Sequence, residues 1–298
     1  MLVLSSTFLT PPNATVPLKM QPITNNYIHF ANNFNDEEID MKTFIYLSTL
    51  FIALVTLVSQ AAAQNEKRIP VVVELFTSES CSTCPPADKF LQVLEQEQPI
   101  AGVEVIALSE HIDYWNRSGW TDPFSSAQFT NRQTSYSLFF KQAEPYTPQM
   151  VVDGTLEFVG SRMREGIEQI LAAAKNQKGE IGLEIEKEAK NTVLFRVKIG
   201  SLPKVSSTDK SSVFLAVTEN DLTSSVTSGE NSGKTLKHIA VARYLKNIGS
   251  IKNENSNLSA EIRLDKNWKR ENLNAIVFIQ EEGNRRILAV TKISLKNQ

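Results

Sequence analysis

The chain has 298 residues, which is room for one large domain or two smaller ones. Its 31 Lys+Arg against 33 Asp+Glu give a net charge of −2, so there is no basic excess to neutralise phosphates and a nucleic-acid partner is not expected. Two cysteines and three histidines argue against a disulfide scaffold, a four-cysteine zinc site or a centre built from several histidines.

Residues 43–58 carry no charge, Lys42 precedes them, and Ala61-Ala62-Ala63 follows where a small-residue cleavage site would lie. This is the layout of a secretory signal peptide spanning 41–63, with a mature chain beginning near Gln64. The preceding stretch, 1–40, is polar and ends in Asp36-Glu37-Glu38-Ile39-Asp40, the wrong charge for the start of a signal peptide. We therefore expect translation from Met41, with 1–40 an untranslated or disordered leader. The other reading is an uncleaved anchor, since the uncharged stretch approaches the roughly 20 residues that span a bilayer. Cleavage implies an exported protein, periplasmic or extracellular, that meets a membrane only if the segment stays attached. Outside the cytosol a close cysteine pair tends to be oxidised or to do redox chemistry.

A first part, 67–178, alternates strands and helices. The apolar run 69–76 predicts a strand buried on both faces. A helix is expected over 87–98, with Phe90, Leu91 and Leu94 on one face. Further expectations are a strand at 103–108, a helix at 125–142, a strand at 149–152, a hairpin turn at Asp153-Gly154, a strand at 155–159 and a helix at 165–175.

A second part, 179–298, holds seven β-rich segments: 181–185, 193–199, 213–218, 239–244, 260–264, 275–280 and 287–293. They suggest a separate all-β, sandwich-like domain. It contains no cysteine.

The chemistry concentrates in the first part. Cys81-Ser82-Thr83-Cys84 follows a predicted buried strand and precedes a helix, a spacing that suits a small disulfide or exchange through a mixed disulfide. A helix start offers N–H donors and a positive dipole end to a thiolate. This resembles a thioredoxin-fold redox site. In such folds a cis-proline precedes a strand and faces the cysteines; Thr147-Pro148 occupies that place here, and Pro148 would expose the Thr147 backbone to an extended substrate. If the first two strands are parallel and the third antiparallel, Cys81, the stretch from His111 to Trp115, and Pro148 meet at one sheet edge, where open α/β sheets bind ligands.

The strings 74–78, 81–88, 111–115, 119–124 and 146–154, with Gly229-Glu230-Asn231-x-Gly233-Lys234-Thr235-Leu236-x-His238, resemble the secreted domain of unknown function 1223 family over nearly all of 70–290. That resemblance implies an α/β thioredoxin-like domain followed by a β-rich one, and implies no known reaction. Pro85 and Pro86 depart from an ordinary thioredoxin site. Proline suits the first helical position, so the helix is expected to begin at Pro85 with Cys84 as cap, leaving Cys81 one turn further from the dipole.

Most candidate residues have two readings. The cysteine pair is an exchange site or a static staple, though so short a loop gains little from stapling. His111 is a proton shuttle or a satisfied structural histidine. Asp113 caps the following turn or supports catalysis. Trp115 and Trp120 pack, line a rim or form a binding platform. Glu74 and Glu79 are buried near-site carboxylates or solvent-facing strand ends. Gly229-Glu230-Asn231-Ser232-Gly233-Lys234-Thr235 is one residue short of a phosphate loop and lacks a strand-to-helix frame, so no nucleotide is expected.

Three functions follow. The first is an exported thiol–disulfide oxidoreductase acting on a protein thiol or disulfide, with Cys81 attacking, Cys84 resolving and no cofactor. The second is a binding or structural module with a stable disulfide. The third is Cu(I) handling by two thiolates, with His111.

Overall fold

The apolar run after Arg68 becomes β1 (Ile69–Thr77), whose residues 71–77 are all buried, as a strand covered on both faces requires. In the computed structural model, which describes residues 45–51, 68–204, 210–251 and 256–296, β1 pairs on one side in parallel with β2 (Val103–His111). On its other side it pairs antiparallel with β3 (Gln149–Val152). β3 turns back into β4 (Leu156–Val159) through Asp153 and Gly154, both at positive φ, 48° and 73°. A Cβ on Gly154 would fall 1.9 Å from Arg285 O, so only glycine fits the turn.

Three helices cover this sheet. α1 (Pro85–Glu97) begins on two prolines with Cys84 at its cap, because the first turn needs no N–H from them. α2 (Ala127–Phe139) is capped by Ser126 Oγ, which accepts from Gln128 N at 3.2 Å. α3 (Met163–Ala173) closes the series. Each is shorter than its expected span or begins about two residues earlier, the usual reach of a periodicity argument at helix ends.

The strands of the second part are β5 (Ile181–Ala189), β6 (Thr192–Ile199), β7 (Ser211–Glu219), β8 (Leu222–Ser225), β9 (Thr235–His238), β10 (Val241–Ile251), β11 (Ser256–Arg263), β12 (Leu273–Glu281) and β13 (Ile287–Ser294). They do not stand apart. One eight-stranded sheet runs β13-β12-β7-β10-β2-β1-β3-β4, with β10 parallel to β2 through Val241 and Ser109. The expected boundary at 178/179 is thus crossed by continuous pairing, and residues 66–298 form one unit. The reason is physical: β2 has a free edge, and a short apolar strand does not encode which edge it will join. Among the described residues, β11-β6-β5 forms a separate three-stranded sheet, packing Val193, Phe195 and Val197 against Leu215, Val217 and Val277. β8 and β9, a polar hairpin the apolar pattern missed, pair with each other.

The sheet separates two further cores. Val71, Val73 and Leu75 face Phe90 and Leu94 of α1 and Ile170 of α3. Val72 and Phe76 face Phe129 and Tyr136 of α2, with Ile276 and Phe278 of β12. Residues 45–51 are helical, and 1–65 form a separate unit. The expected leader over 1–40, the start at Met41 and cleavage near Gln64 lie outside the described residues. No helix among the described residues is long and apolar enough to cross a membrane.

Candidate functional site

The parallel pairing of β1 with β2 places Thr77 beside His111 at one end of the sheet. The antiparallel pairing of Phe76 with Gln149 brings the start of β3, and hence Pro148, to the same end. The Thr147–Pro148 bond is cis. Between β1 and α1, Cys81 and Cys84 form a disulfide with Cα atoms 5.4 Å apart. The two cysteines are 1% and 0% exposed, whereas Ser82 and Thr83 between them lie on the surface.

Behind the disulfide lies a buried polar cluster. His111 Nδ1 donates to Asp122 Oδ2 at 2.7 Å, and the same oxygen accepts from Glu79 N at 2.8 Å. Glu79 in turn accepts from Trp120 Nε1 at 2.8 Å and from His238 Nε2 at 2.9 Å. The two imidazole rings meet edge to face, 4.9 Å between centroids. Each histidine is thus oriented by one carboxylate and keeps its other nitrogen buried without a hydrogen-bond partner. Asp88 Oδ1, on the first turn of α1, is likewise unpartnered. Asp88 and His238 also line a cavity of about 250 Å³ between α1 and β9.

Burial dominates the electrostatics of this cluster, and partners decide the outcome. Burial alone would pull His111 down, but the charge and hydrogen bond of Asp122 outweigh it and hold the imidazole above its ordinary value. Burial would push Asp122 and Glu79 up. Asp122 is nevertheless held low, chiefly by His111, and Glu79 is held low by hydrogen bonds led by that from His238. Asp88 has no such bonded cation; burial pushes it up against the pull of His238 and His111.

The Gly-rich segment between β8 and β9 closes over the cysteine loop. Asn231, fully buried, donates through Nδ2 to Glu79 O at 2.8 Å and Cys81 O at 3.0 Å. Glu230 Oε2 accepts from Ser82 N at 3.0 Å. Ser228 Oγ donates to Gly119 O at 2.6 Å. Gly229, at φ 74°, backs onto that strap, where a Cβ would lie 3.1 Å from Ser118 O. The segment read as a near-phosphate loop is therefore a clamp on the cysteine turn.

The expected site residues separate. His111 enters the cluster behind the disulfide. Trp115 Nε1 donates to Thr147 Oγ1 at 2.8 Å and so fixes the residue before Pro148. Asp113 turns away: its Oδ1 accepts from Thr130 Oγ1 of α2 at 2.6 Å, and it makes no side-chain cap for the 3-10 turn that follows. Glu74 faces α2, ion-paired with Arg132 and accepting from Tyr136 OH at 2.6 Å, away from the cysteines. Sequence reasoning did not single out Asp88, Asp122, Glu230, Asn231 or His238, although all five fall in the strings that carry the family resemblance. Among the described residues, no group of three or more His, Cys, Asp or Glu side chains is placed to hold a metal ion.

No curated protein matches the chain. Protein AGR_C_4864 from Agrobacterium tumefaciens shares its fold with a TM-score of 0.58 and 24% identity, over 76% of this chain and 95% of that one. HBP35 of Porphyromonas gingivalis aligns with a TM-score of 0.52 and 14% identity, over 76% of this chain and 75% of that one. The family model for proteins of unknown function DUF1223 matches residues 72–280, which contain the cysteine turn, the histidine cluster and the clamp, and the chain belongs to that family.

Proposed function

We propose that this protein is an exported, thioredoxin-like thiol–disulfide exchange protein acting on a protein thiol or disulfide. The observation that carries this reading is the Cys81–Cys84 disulfide at the junction of β1 and α1, with cis-Pro148 at the same sheet end. In the exchange, a partner thiolate attacks Cys81 Sγ; the S–S bond breaks, and Cys84 leaves as a thiolate that takes a proton. A second partner thiolate then attacks the mixed disulfide and releases Cys81. Two electrons pass to this chain, and the partner dithiol becomes a disulfide. The reverse sequence reduces a partner disulfide and closes the Cys81–Cys84 bond. Thr147, held by Trp115, presents backbone to the partner chain beside Pro148.

One observation favours a second reading, a binding module with a stable disulfide: both cysteines are shielded from solvent. Trapping separates the two. A Cys84→Ala variant exposed to exported proteins should accumulate a mixed disulfide through Cys81. A pair that stays oxidised under strong reductant, with no such adduct, would overturn exchange and leave the binding module.

A further inference from the structure

Several N–H groups around the disulfide are absent or engaged, and Thr83 Oγ1 donates to Cys81 Sγ at 3.4 Å. A helix start normally offers several free N–H groups to a thiolate. Here Pro85 and Pro86 offer none, and Cys84 N is spent on Cys81 O at 3.2 Å. Ser82 N, the donor next in the chain to Cys81, is taken by the Glu230 carboxylate at 3.0 Å. That carboxylate is delivered across the molecule rather than placed by chance. Asn231 beside it is buried and grips Glu79 O and Cys81 O, Lys234 Nζ donates to Asn231 Oδ1 at 2.9 Å, and Ser228 ties the loop to Gly119.

We propose that Glu230 is a positioning residue that holds reduced Cys81 as a thiol and poises the pair toward the reducing end of thiol–disulfide exchange. It does so in two ways: it occupies the Ser82 N–H that would otherwise stabilise a Cys81 thiolate, and it sets a full negative charge against the cysteine turn. A thiol of higher pKa is a poorer leaving group, so the disulfide is harder to reduce and the dithiol is the stronger reductant. The electrons then flow outward: Cys81 and Cys84 lose two protons and two electrons as their S–S bond forms, and a partner disulfide takes them up as two thiols. The other charged groups around the turn are already engaged. Glu79 is bonded to His238 and Trp120, Asp122 to His111, and Lys234 to Asn231, while Asp88, on the first turn of α1, keeps Oδ1 without a hydrogen-bond partner under the pull of His238 and His111. Among the described residues, Glu230 is the carboxylate that meets the backbone between the two cysteines.

The inference rests on the exchange reading but is tested without a protein substrate. In a Cys84→Ala background, thiolate ultraviolet absorbance against pH titrates Cys81 alone. Glu230→Ala, which removes both charge and acceptor, and Glu230→Gln, which keeps an acceptor oxygen, should each lower the Cys81 pKa, Ala more than Gln. With both cysteines present, either change should raise the equilibrium constant for reduction by glutathione by roughly threefold to tenfold, a difference that shrinks in high salt because the carboxylate is exposed. Titrations and equilibrium constants that are unchanged, or that move the other way, overturn the proposal. A Cys84→Ala protein that traps no partner, with a wild-type pair that stays oxidised under strong reductant, overturns the exchange reading but leaves this titration standing.

Discussion

Two buried charge networks lie on opposite faces of one sheet, and they are built differently. Facing α2, Arg132 pairs with Glu74, donates to Tyr136 OH at 3.1 Å and Gln280 Oε1 at 3.3 Å, and lies over the rings of Tyr136, Phe214 and Phe278. Its cation cannot be discharged near neutral pH. Facing α1, the cluster behind the disulfide is made of two histidines and three carboxylates, and it keeps buried atoms on His111, His238 and Asp88 without hydrogen-bond partners. A permanent charge holds elements together, although Glu110, 3.5 Å from Arg132 Nε, also keeps both carboxyl oxygens without hydrogen-bond partners. In the exchange we propose, a set of titratable groups with spare lone pairs beside the disulfide is placed to take and return its protons. Glu74, a candidate near-site carboxylate by sequence, belongs to the structural network.

Four substitutions can break that contrast. Replacing Arg132 with Met should have the largest effect on stability: it strands Glu74 beside Glu110, whose carboxyl burial and Glu74 already push well above its ordinary value, and should cost about 3–5 kcal/mol in urea unfolding. The folded fraction should still exchange thiols normally; a loss of exchange in that fraction would merge the two networks. His111→Gln should cost less, about 1–3 kcal/mol, by leaving Asp122 without its cation.

The loss on His111→Gln should also depend on pH. The folded pKa of His111 is raised above 6.5, so its stabilisation is complete below 6.5 and is lost as the pH rises through the raised value. The folded pKa of Asp122 lies below 3.8, so its stabilisation is complete above 3.8 and is lost as the pH falls through the lowered value. The difference in melting temperature between wild type and His111→Gln should therefore be greatest between these limits and shrink both above and below them; a flat difference from acid to alkaline pH would show that no proton is linked to the pair. Trp115→Phe, which loses the bond to Thr147, should cost about 1 kcal/mol and slow mixed-disulfide formation. Asp113→Asn should be the mildest, below about 1 kcal/mol in urea unfolding with unchanged exchange, because an amide oxygen still accepts from Thr130.

How legible each group was follows from how far it reaches along the chain. The cysteine turn, the helix start at Pro85, the Asp153-Gly154 hairpin and the position of Pro148 are local patterns, written within a few residues. The partners of that turn are not. Glu230 reaches Ser82 across 148 residues and His238 reaches Glu79 across 159, and no local period signals either. The polar hairpin of β8 and β9 carries no apolar alternation, so strand patterns passed over it, although its job is to clamp the site. Asp113 shows the reverse: its place two residues after His111 suggested a shared role, but β2 ends at His111, the chain turns there into the 3-10 turn, and the Asp113 side chain went to Thr130 of α2.

By itself, the sequence determined the three helices and the apolar strands, and that two thiols three positions apart lie between β1 and α1, because apolar period, proline and glycine act within a turn or a strand. Only the tertiary structure decided that the two halves share one sheet, that Asp122, Glu79 and two histidines converge behind the disulfide, and that Glu230 closes over it. Those outcomes depend on which free strand edge captures which distant strand, and edge pairing is driven by backbone hydrogen bonds common to every residue.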